Sequence, residues 1–405
     1  MKAIHLGILG AVLLGVASLS IAGEIDVMTQ NQYIGADLQI GATASTPKEA
    51  DDAVVAMLTT IAKTRPAERV RALAAEIAHR NPDVVGLQEA FEFKCLPDTE
   101  HGFPPLPGRG CDDPLIKDAL TDHLQDTEEA LRRKYVVAGQ VTNLKVSPIF
   151  FHVRDYSAVL SITDRDAILV RKHLSKSARV VTFNCPARSD NGCNYETAPP
   201  TFTPPLGPPI VLKRGFVAID VTIEGREYRV FNTHLEQREL APGQCATQIY
   251  QVGQAYELLD RALSTWNRWD GLSKTVIVVG DINSGPKDTI CSALPPTLPG
   301  KPTLPVLTPY QIFTSHGFTD AWTLRSHPDV GFTCCQDPDL SNKQSDLTER
   351  IDMIFSLHRP SQVRDMNLLG NTSPGSDGLW PSDHAALAGT LKFHSPLHPV
   401  HIERY

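Results

Sequence analysis

The stretch "VIVVGDINSGP", residues 276–286, runs from four β-branched apolar residues straight into Gly280, Asp281, Ile282 and Asn283. A short apolar run bounded by turn residues predicts a strand buried inside a sheet, and therefore a sheet covered on both faces. Two readings remain open for its end. Asp281 and Asn283 are either ordinary turn chemistry, with side chains bonding their own backbone, or the rim of a site.

Working outward, other apolar runs end the same way. "IDVMTQN" stops on Asn31, "DVVGLQE" on Glu89 and "YRVFNTH" on His234. "RIDMIFS" carries Asp352, and "WPSDHAALAGTL" puts Asp383 and His384 ahead of another run. Polar groups at strand ends converge when the strands share a sheet edge, where open α/β sheets keep their sites.

Helical patterns lie between these runs. "PAERVRALAAEIAHR" places Val70, Leu73 and Ile77 on one face, and Ile249, Val252, Tyr256, Leu259 and Leu263 repeat at three/four spacing just ahead of the opening strand. From residue 134 onward strands dominate: "KYVVAGQV", "SAVLSIT", "DAILVRK", "IVLKRGFVAIDVTI" and "REYRVFNTHL", the last two forming a hairpin through Glu224-Gly225. Adjacent antiparallel strands interspersed with helices fit an α/β sandwich better than a doubly wound parallel sheet.

The composition sets outer limits. At 405 residues, 41% apolar and 21% charged, the chain has the makeup of globular protein, which excludes disorder and coiled coil. Residues 1–22 read as an export signal, with Lys2, the apolar "LGILGAVLLGVASLSIA" and small residues at Ser20 and Ala22. Residues 23–395 are expected to form one domain, followed by a tail at 396–405. The formal charge is −8, and losing Lys2 with the signal takes it to −9. No run of five Lys/Arg is present, which weighs against tight non-specific nucleic-acid binding but allows transient contact.

Four segments read as irregular surface insertions: 91–113, 186–209, 292–308 and 332–348. "ETAPPTFTPPLGPP" in the second cannot be a central strand or helix, since each proline lacks a backbone donor. Eight cysteines suit an oxidising destination. Short loops pair Cys95 with Cys111 and Cys185 with Cys193, leaving Cys245, Cys291, Cys334 and Cys335 to pair among themselves. Adjacent Cys334 and Cys335 are expected to go to different partners, because joining them closes a small ring.

The strand-end inventory is two amides, four carboxylates and two imidazoles. Mg²⁺ takes oxygen ligands, often only one or two carboxylates, and leaves positions for water and substrate phosphate. An imidazole can then activate water while a second group assists the leaving oxygen. Hydrolysis of a phosphate ester uses every member of the set. There is no G-x-S-x-G elbow for a serine hydrolase and no H-E-x-x-H for a zinc protease.

In "MTQN", "GLQE", "NTHL", "GDIN", "RIDMIF" and "SDH", taken in order from residue 28 to 384, the chain resembles the endonuclease/exonuclease/phosphatase superfamily. That group includes pancreatic deoxyribonuclease, abasic-site endonucleases, inositol polyphosphate phosphatases and neutral sphingomyelinases. The resemblance implies a four-layer α/β sandwich with two central mixed, largely antiparallel sheets flanked by helices. It implies Glu89 as the principal metal ligand, Asn31 as the amide at the metal or phosphate, and Asp383 as a further metal-side acid. Asp281 and Asn283 then orient the attacking water and contact the phosphate. His384 is base or charge stabiliser with Asp352 orienting it, His234 is the second histidine, and Asp166 in "TDRDAILV" aligns loosely with the acid that orients His234. Which imidazole is acid and which is base stays open.

The implied cofactor is Mg²⁺, with Mn²⁺ or Ca²⁺ as alternatives, and the implied partner is a phosphodiester, either nucleic acid or phospholipid. A secreted or periplasmic monomer is expected, with no stable protein partner. "NTHL" points to the deoxyribonuclease, phosphatase and sphingomyelinase side of the superfamily. Lys213 or Arg214 could contact a phosphate or simply line a solvated strand edge. "STWNRWDG" and "PIFF" could give a phospholipase an aromatic surface or could be packing.

Overall fold

The computed structural model describes residues 23–36, 44–97, 110–201, 209–238, 245, 247–264, 274–326, 329–375 and 378–394. The export segment 1–22, the tail 396–405 and "WNRWDG" lie outside them.

Strands in the first half of the chain are β1 (Gly23–Asn31), β2 (Val84–Gln88), β3 (Glu92–Pro97), β4 (Tyr135–Val153), β5 (Tyr156–Arg171), β6 (Ala178–Val180), β7 (Arg188–Ser189) and β8 (Gly192–Asn194). The second half adds β9 (Gly215–Ile223), β10 (Arg226–His234), β11 (Thr275–Asp281), β12 (Thr297–Leu298), β13 (Lys301–Pro305), β14 (Thr319–Asp320), β15 (Asp352–Ser356), β16 (Gln362–Leu369) and β17 (Ala386–Phe393). The helices are α1 (Pro47–Lys63), α2 (Pro66–Arg80), α3 (His123–Ala130), α4 (Gln248–Ser264) and α5 (Pro309–Ser315).

Two mixed sheets carry the molecule. One is ordered β16-β17-β1-β2-β5-β3 with β4 also on β5; the other is β14-β15-β11-β10-β9-β8-β7 with β6 also on β9. Only β1 with β2 and β10 with β11 run parallel among the pairs of these sheets. The inner faces meet in a layer of aliphatic residues, with Ile25, Val27, Ile168 and Val170 from the first sheet against Ile219, Val230, Ile277 and Ile354 from the second. The outer face of the second sheet buries Val276, Val278 and Phe355 against Val252 and Leu259 of α4 and Phe313 of α5. On the outer face of the first sheet, Met28, Val85 and Leu169 pack on Ala74 and Ile77 of α2 and Leu124 of α3. The result is a four-layer α/β sandwich.

Strand β11 is buried at all seven positions, as its unbroken apolar run requires. The α2 face predicted from spacing is buried through Val70, Leu73 and Ile77. Glu224 and Gly225 both adopt positive φ, 49° and 81°, which matches the twist of a two-residue hairpin joining β9 to β10. Buried amides pin the two sheets together. Asn232 on β10 donates to the carbonyls of Leu87 (2.9 Å) and Ala167 (3.0 Å) and accepts from Gln88 Nε2 (2.6 Å). Gly86 faces this pin, and a Cβ there would lie 2.5 Å from Asn232 Oδ1.

Several expectations differ from the structure. "SAVLSIT" and "DAILVRK" are one 16-residue strand, β5, because β4 and β3 pair along its whole length. Segment 91–113 is not wholly irregular, since Glu92–Pro97 forms β3, and 186–209 and 292–308 hold the short pairs β7–β8 and β12–β13. Cys95–Cys111 and Cys185–Cys193 are joined as expected. Cys334 and Cys335 are joined to each other, contrary to expectation, and Cys245 joins Cys291. Gln248 explains the latter pair: its backbone N–H donates to the Cys245 carbonyl and its side chain accepts from the Cys291 N–H.

Candidate active site at the strand ends

Register builds the site. His234 pairs with Asp281 across β10 and β11, and Asp281 pairs with Asp352 across β11 and β15, so three strands set these side chains in one row. Strands neighbour each other at about 4.8 Å, so such a row brings its side chains within mutual reach. Gly280, immediately before Asp281, has φ 146°, and a Cβ there would lie 2.0 Å from the Thr233 carbonyl oxygen. Only glycine permits β10 and β11 to approach this closely at the site.

Asp281 divides its two oxygens. Oδ1 accepts from the Asn283 backbone N–H at 2.9 Å, an Asx turn. Oδ2 points to the site, 3.1 Å from Asn31 Nδ2, 3.4 Å from His234 Nε2 and 3.8 Å from His384 Nε2. Turn chemistry and site chemistry therefore coexist on one carboxylate. Burial, with the Asp352 charge beside it, pushes Asp281 up to about 7. Asn283, at φ 49°, donates its Nδ2 to the Leu235 carbonyl and is held from behind by Gln251.

The two imidazoles are wired oppositely. His384 Nδ1 lies 2.8 Å from Asp352 Oδ2. Burial alone would lower His384, but the charges of Asp352, Asp383 and Asp281 outweigh it and hold the ring well above the usual histidine range. His234 Nδ1 instead lies 2.9 Å from Arg214 Nη1. Burial, the Arg214 charge and His384 push His234 well below the usual range.

The first sheet contributes oxygen donors to the same cluster. Asn31 Nδ2 bridges Glu89 Oε1 and Asp281 Oδ2, both at 3.1 Å, while its Oδ1 accepts from the Tyr33 N–H. Glu89 sits just past β2 at φ 54°, a conformation costly for a non-glycine residue, and its Oε2 accepts from the Ile34 N–H at 3.0 Å. Asp383 stands 3.9 Å from His384 Nε2, and burial pushes it up to about 7, with Glu89 adding to the rise. Glu89 and Asp383, with the Asn31 amide beside them, are a hard-oxygen set whose crowded, partly buried charge suits a divalent cation, so the residues fit Mg²⁺.

Ligand atoms of Asp281, Asp352 and His384 also lie within 4.8 Å of one another, but His384 Nδ1 is committed to Asp352 by a hydrogen bond, and Asp281 stands 3.8 Å from the ring's other nitrogen. The sulfurs of Cys334 and Cys335 reach the same histidine but are bonded to each other, so they are not thiolate ligands.

Asp166 is not where the sequence reading put it. It accepts from Asn143 Nδ2 at 2.8 Å, and the group on His234 Nδ1 is Arg214. The guanidinium fills the place meant for a carboxylate. It stands among Glu236 (Nη2 to Oε1, 3.7 Å), Asp164, Glu89 and Asp166; burial opposes its charge, but these acids more than compensate. Asp166 is raised well above the carboxylate range by burial and by Asp164.

Three supporting residues were absent from the sequence reading. Ser382 donates to the Asn31 carbonyl (2.8 Å) and accepts from the His384 N–H (3.1 Å), tying together two site residues that the first sheet contributes. Thr333 Oγ1 accepts the N–H groups of Ile351 and Asp352, both at 3.1 Å. Arg69, 2% exposed, donates to the carbonyls of Thr64, Gln32 and Tyr33 and fixes the turn after β1. A signal existed for Arg69, since it lies one helical repeat from Leu73 on the apolar face of α2.

No family model and no curated protein matches the chain in sequence. Its neighbours in structure are endonuclease/exonuclease/phosphatase and TDP2 proteins. An endonuclease/exonuclease/phosphatase from Beutenbergia cavernae is 18% identical, with 93% of this chain and 73% of that one covered at a TM-score of 0.48. Truncated Caenorhabditis elegans TDP2 is 16% identical over 91% of this chain and 97% of its own, at 0.47. D. rerio TDP2 in complex with a single-strand DNA product is 15% identical over 91% and 98%, at 0.44.

Proposed function

We propose that the chain is a divalent-metal-dependent phosphodiesterase of the endonuclease/exonuclease/phosphatase superfamily, on its deoxyribonuclease-like side, and that its substrate is nucleic acid. The observation that carries this is the His234–Asp281–Asp352 row, closed by His384 from the other sheet. It unites the six short motifs in one buried polar cluster.

In this reading Glu89 and Asp383 hold the cation, with Asn31 bracketing Glu89 and Asp281. When bound, the cation polarises a phosphoryl oxygen and offsets developing negative charge. Asp281 Oδ2 and His384 Nε2, 3.8 Å apart, are close enough for one water to bond both. In the fraction of molecules whose His384 ring is neutral, a fraction that the surrounding acids keep small, Nε2 takes the proton of the attacking water, and Asp352 steadies the imidazolium that results. His234 and Asn283 face the phosphate from the second sheet. We also propose export, supported by residues 1–22 and by four disulfides among the described residues.

A second reading, a phospholipid phosphodiesterase, has one observation in its favour. Leu96 and Phe150 flank Val159 from either side on one face of the β3–β5–β4 sheet, and they are 49% and 51% exposed. Such a strip suits a bilayer surface. Product release from plasmid DNA and from sphingomyelin vesicles, each with Mg²⁺ or EDTA, separates the two: DNA cleavage abolished by EDTA is expected, and lipid cleavage alone would replace the nuclease reading.

A further inference from the structure

Arg214 has no assigned part in phosphodiester hydrolysis, yet its surroundings are costly to build. It is 6% exposed, immediately precedes β9, and lies among four carboxylates of which Asp164 and Asp166 are themselves 1% and 0% exposed. Its Nη1 meets His234 Nδ1 at 2.9 Å and its Nη2 stands 3.7 Å from Glu236.

A guanidinium has five donors and no acceptor. At hydrogen-bond distance from it, Nδ1 must therefore be the acceptor, because a proton there would set two donors against each other. The single ring proton then sits on Nε2, aimed at Asp281 Oδ2 and at whatever binds in front of it. His384 is the mirror case. Its Nδ1 faces a carboxylate, which accepts, so Nδ1 carries a proton and Nε2 is the atom that can take another.

We propose that Arg214 is a positioning residue that locks His234 as the neutral Nε2–H tautomer, so that His234 stabilises the transition state by donating a hydrogen bond to a phosphoryl oxygen and does not give up a proton to the leaving group. The proposal rests on the phosphodiesterase reading and deepens it by settling the division of labour between the histidines. His384 is the only proton acceptor of the pair. The leaving oxygen draws its proton from water or a metal-side group, and His234 keeps its own.

The test uses the full chain labelled with ¹⁵N-histidine, the His234 signals being assigned by their loss in His234→Ala. The expected wild-type pattern is an unprotonated Nδ1 with a protonated Nε2. In Arg214→Met that pattern is lost while the His384 signals stay put, and kcat falls about 100-fold, the scale of losing one transition-state donor. Arg214→Lys, which keeps a donor and no acceptor, restores the tautomer in part. Arg214→Met/His234→Ala is no slower than His234→Ala alone.

Leaving groups supply the second arm. If His234 donates to a phosphoryl oxygen, the His234→Ala defect is the same on a dinucleotide as on its p-nitrophenyl ester, whose leaving group needs no proton. A defect that shrinks 10-fold or more on the p-nitrophenyl ester, or a wild-type proton on Nδ1, overturns the proposal. If Arg214→Met does not fold, the wild-type spectrum still decides the tautomer. A wild type that cleaves no phosphodiester refutes the phosphodiesterase reading separately, since the tautomer is read without turnover.

Discussion

His384 Nδ1 lies 2.8 Å from Asp352 Oδ2, although 32 residues separate the two and they reach the site from different sheets. Thr333 fixes the carboxylate end through the Asp352 N–H, and Ser382 fixes the imidazole end through the His384 N–H. Asp352→Asn keeps the shape but replaces the acceptor's full charge with an amide. A fall in kcat of about 10²- to 10⁴-fold is expected, with KM changing far less. Steady-state kinetics on a dinucleotide check this; a change confined to KM would remove Asp352 from the relay.

The oxygen set predicts how metal dependence breaks. EDTA abolishes activity and Mg²⁺ restores it. Glu89→Gln can keep the contact to Asn31 through its one remaining oxygen but gives up the one from the Ile34 N–H and halves the carboxylate ligands, so it raises the Mg²⁺ concentration for half-maximal activity at least about 10-fold. The unfolding midpoint of that variant without metal stays within a few degrees of wild type. A Mg²⁺ titration followed by cleavage rate is the measurement.

The amide pin between the sheets predicts a stability effect far larger than its size suggests. Asn232→Ala would leave the Gln88 amide without its acceptor and strip a side-chain donor from the carbonyls of Leu87 and Ala167, which face each other across β2 and β5, all of them buried. Leaving such groups unpaired costs about 2–4 kcal/mol in sum. Denaturant unfolding should show it as a lower midpoint with an unchanged slope.

Glu76 predicts a pH dependence of stability. Its Oε2 is buried without a hydrogen-bond partner, and burial pushes the carboxyl from 4.5 up to about 7. A carboxyl raised in the folded state favours folding while protonated, so its contribution is complete below pH 4.5 and is lost as pH rises through 7. Glu76→Gln should therefore be about 1–3 kcal/mol more stable than wild type at pH 8 and equal to it at pH 4. Unfolding curves at both pH values decide it.

How far the sequence could be read depended on what kind of contact each feature needed. Strand β11 was legible because a strand inside a covered sheet must be apolar throughout, and its end at Asp281 announced itself by contrast. The merging of two runs into β5 was not, because Arg165 and Asp166 look like a break until β4 is seen pairing alongside them. Arg214 is the instructive miss. The Glu224-Gly225 turn was read correctly, and counting nine residues back and nine forward from it pairs Gly215 with His234. That register sets Arg214 one residue from the histidine's partner, within reach of a long side chain, whereas Asp166 was favoured by alignment alone. The Cys245–Cys291 bond depends on which loops meet, and spacing holds no record of that, whereas the Cys334–Cys335 bond joins chain neighbours and was set aside on ring size alone.

The most direct test of the whole account is the initial rate of plasmid cleavage at saturating Mg²⁺ by wild type and by His384→Ala, prepared side by side and matched for unfolding midpoint. The account predicts a loss of at least about 100-fold in the variant. Equal rates in two folded proteins would mean that the strand-end cluster is not where phosphodiesters are cleaved.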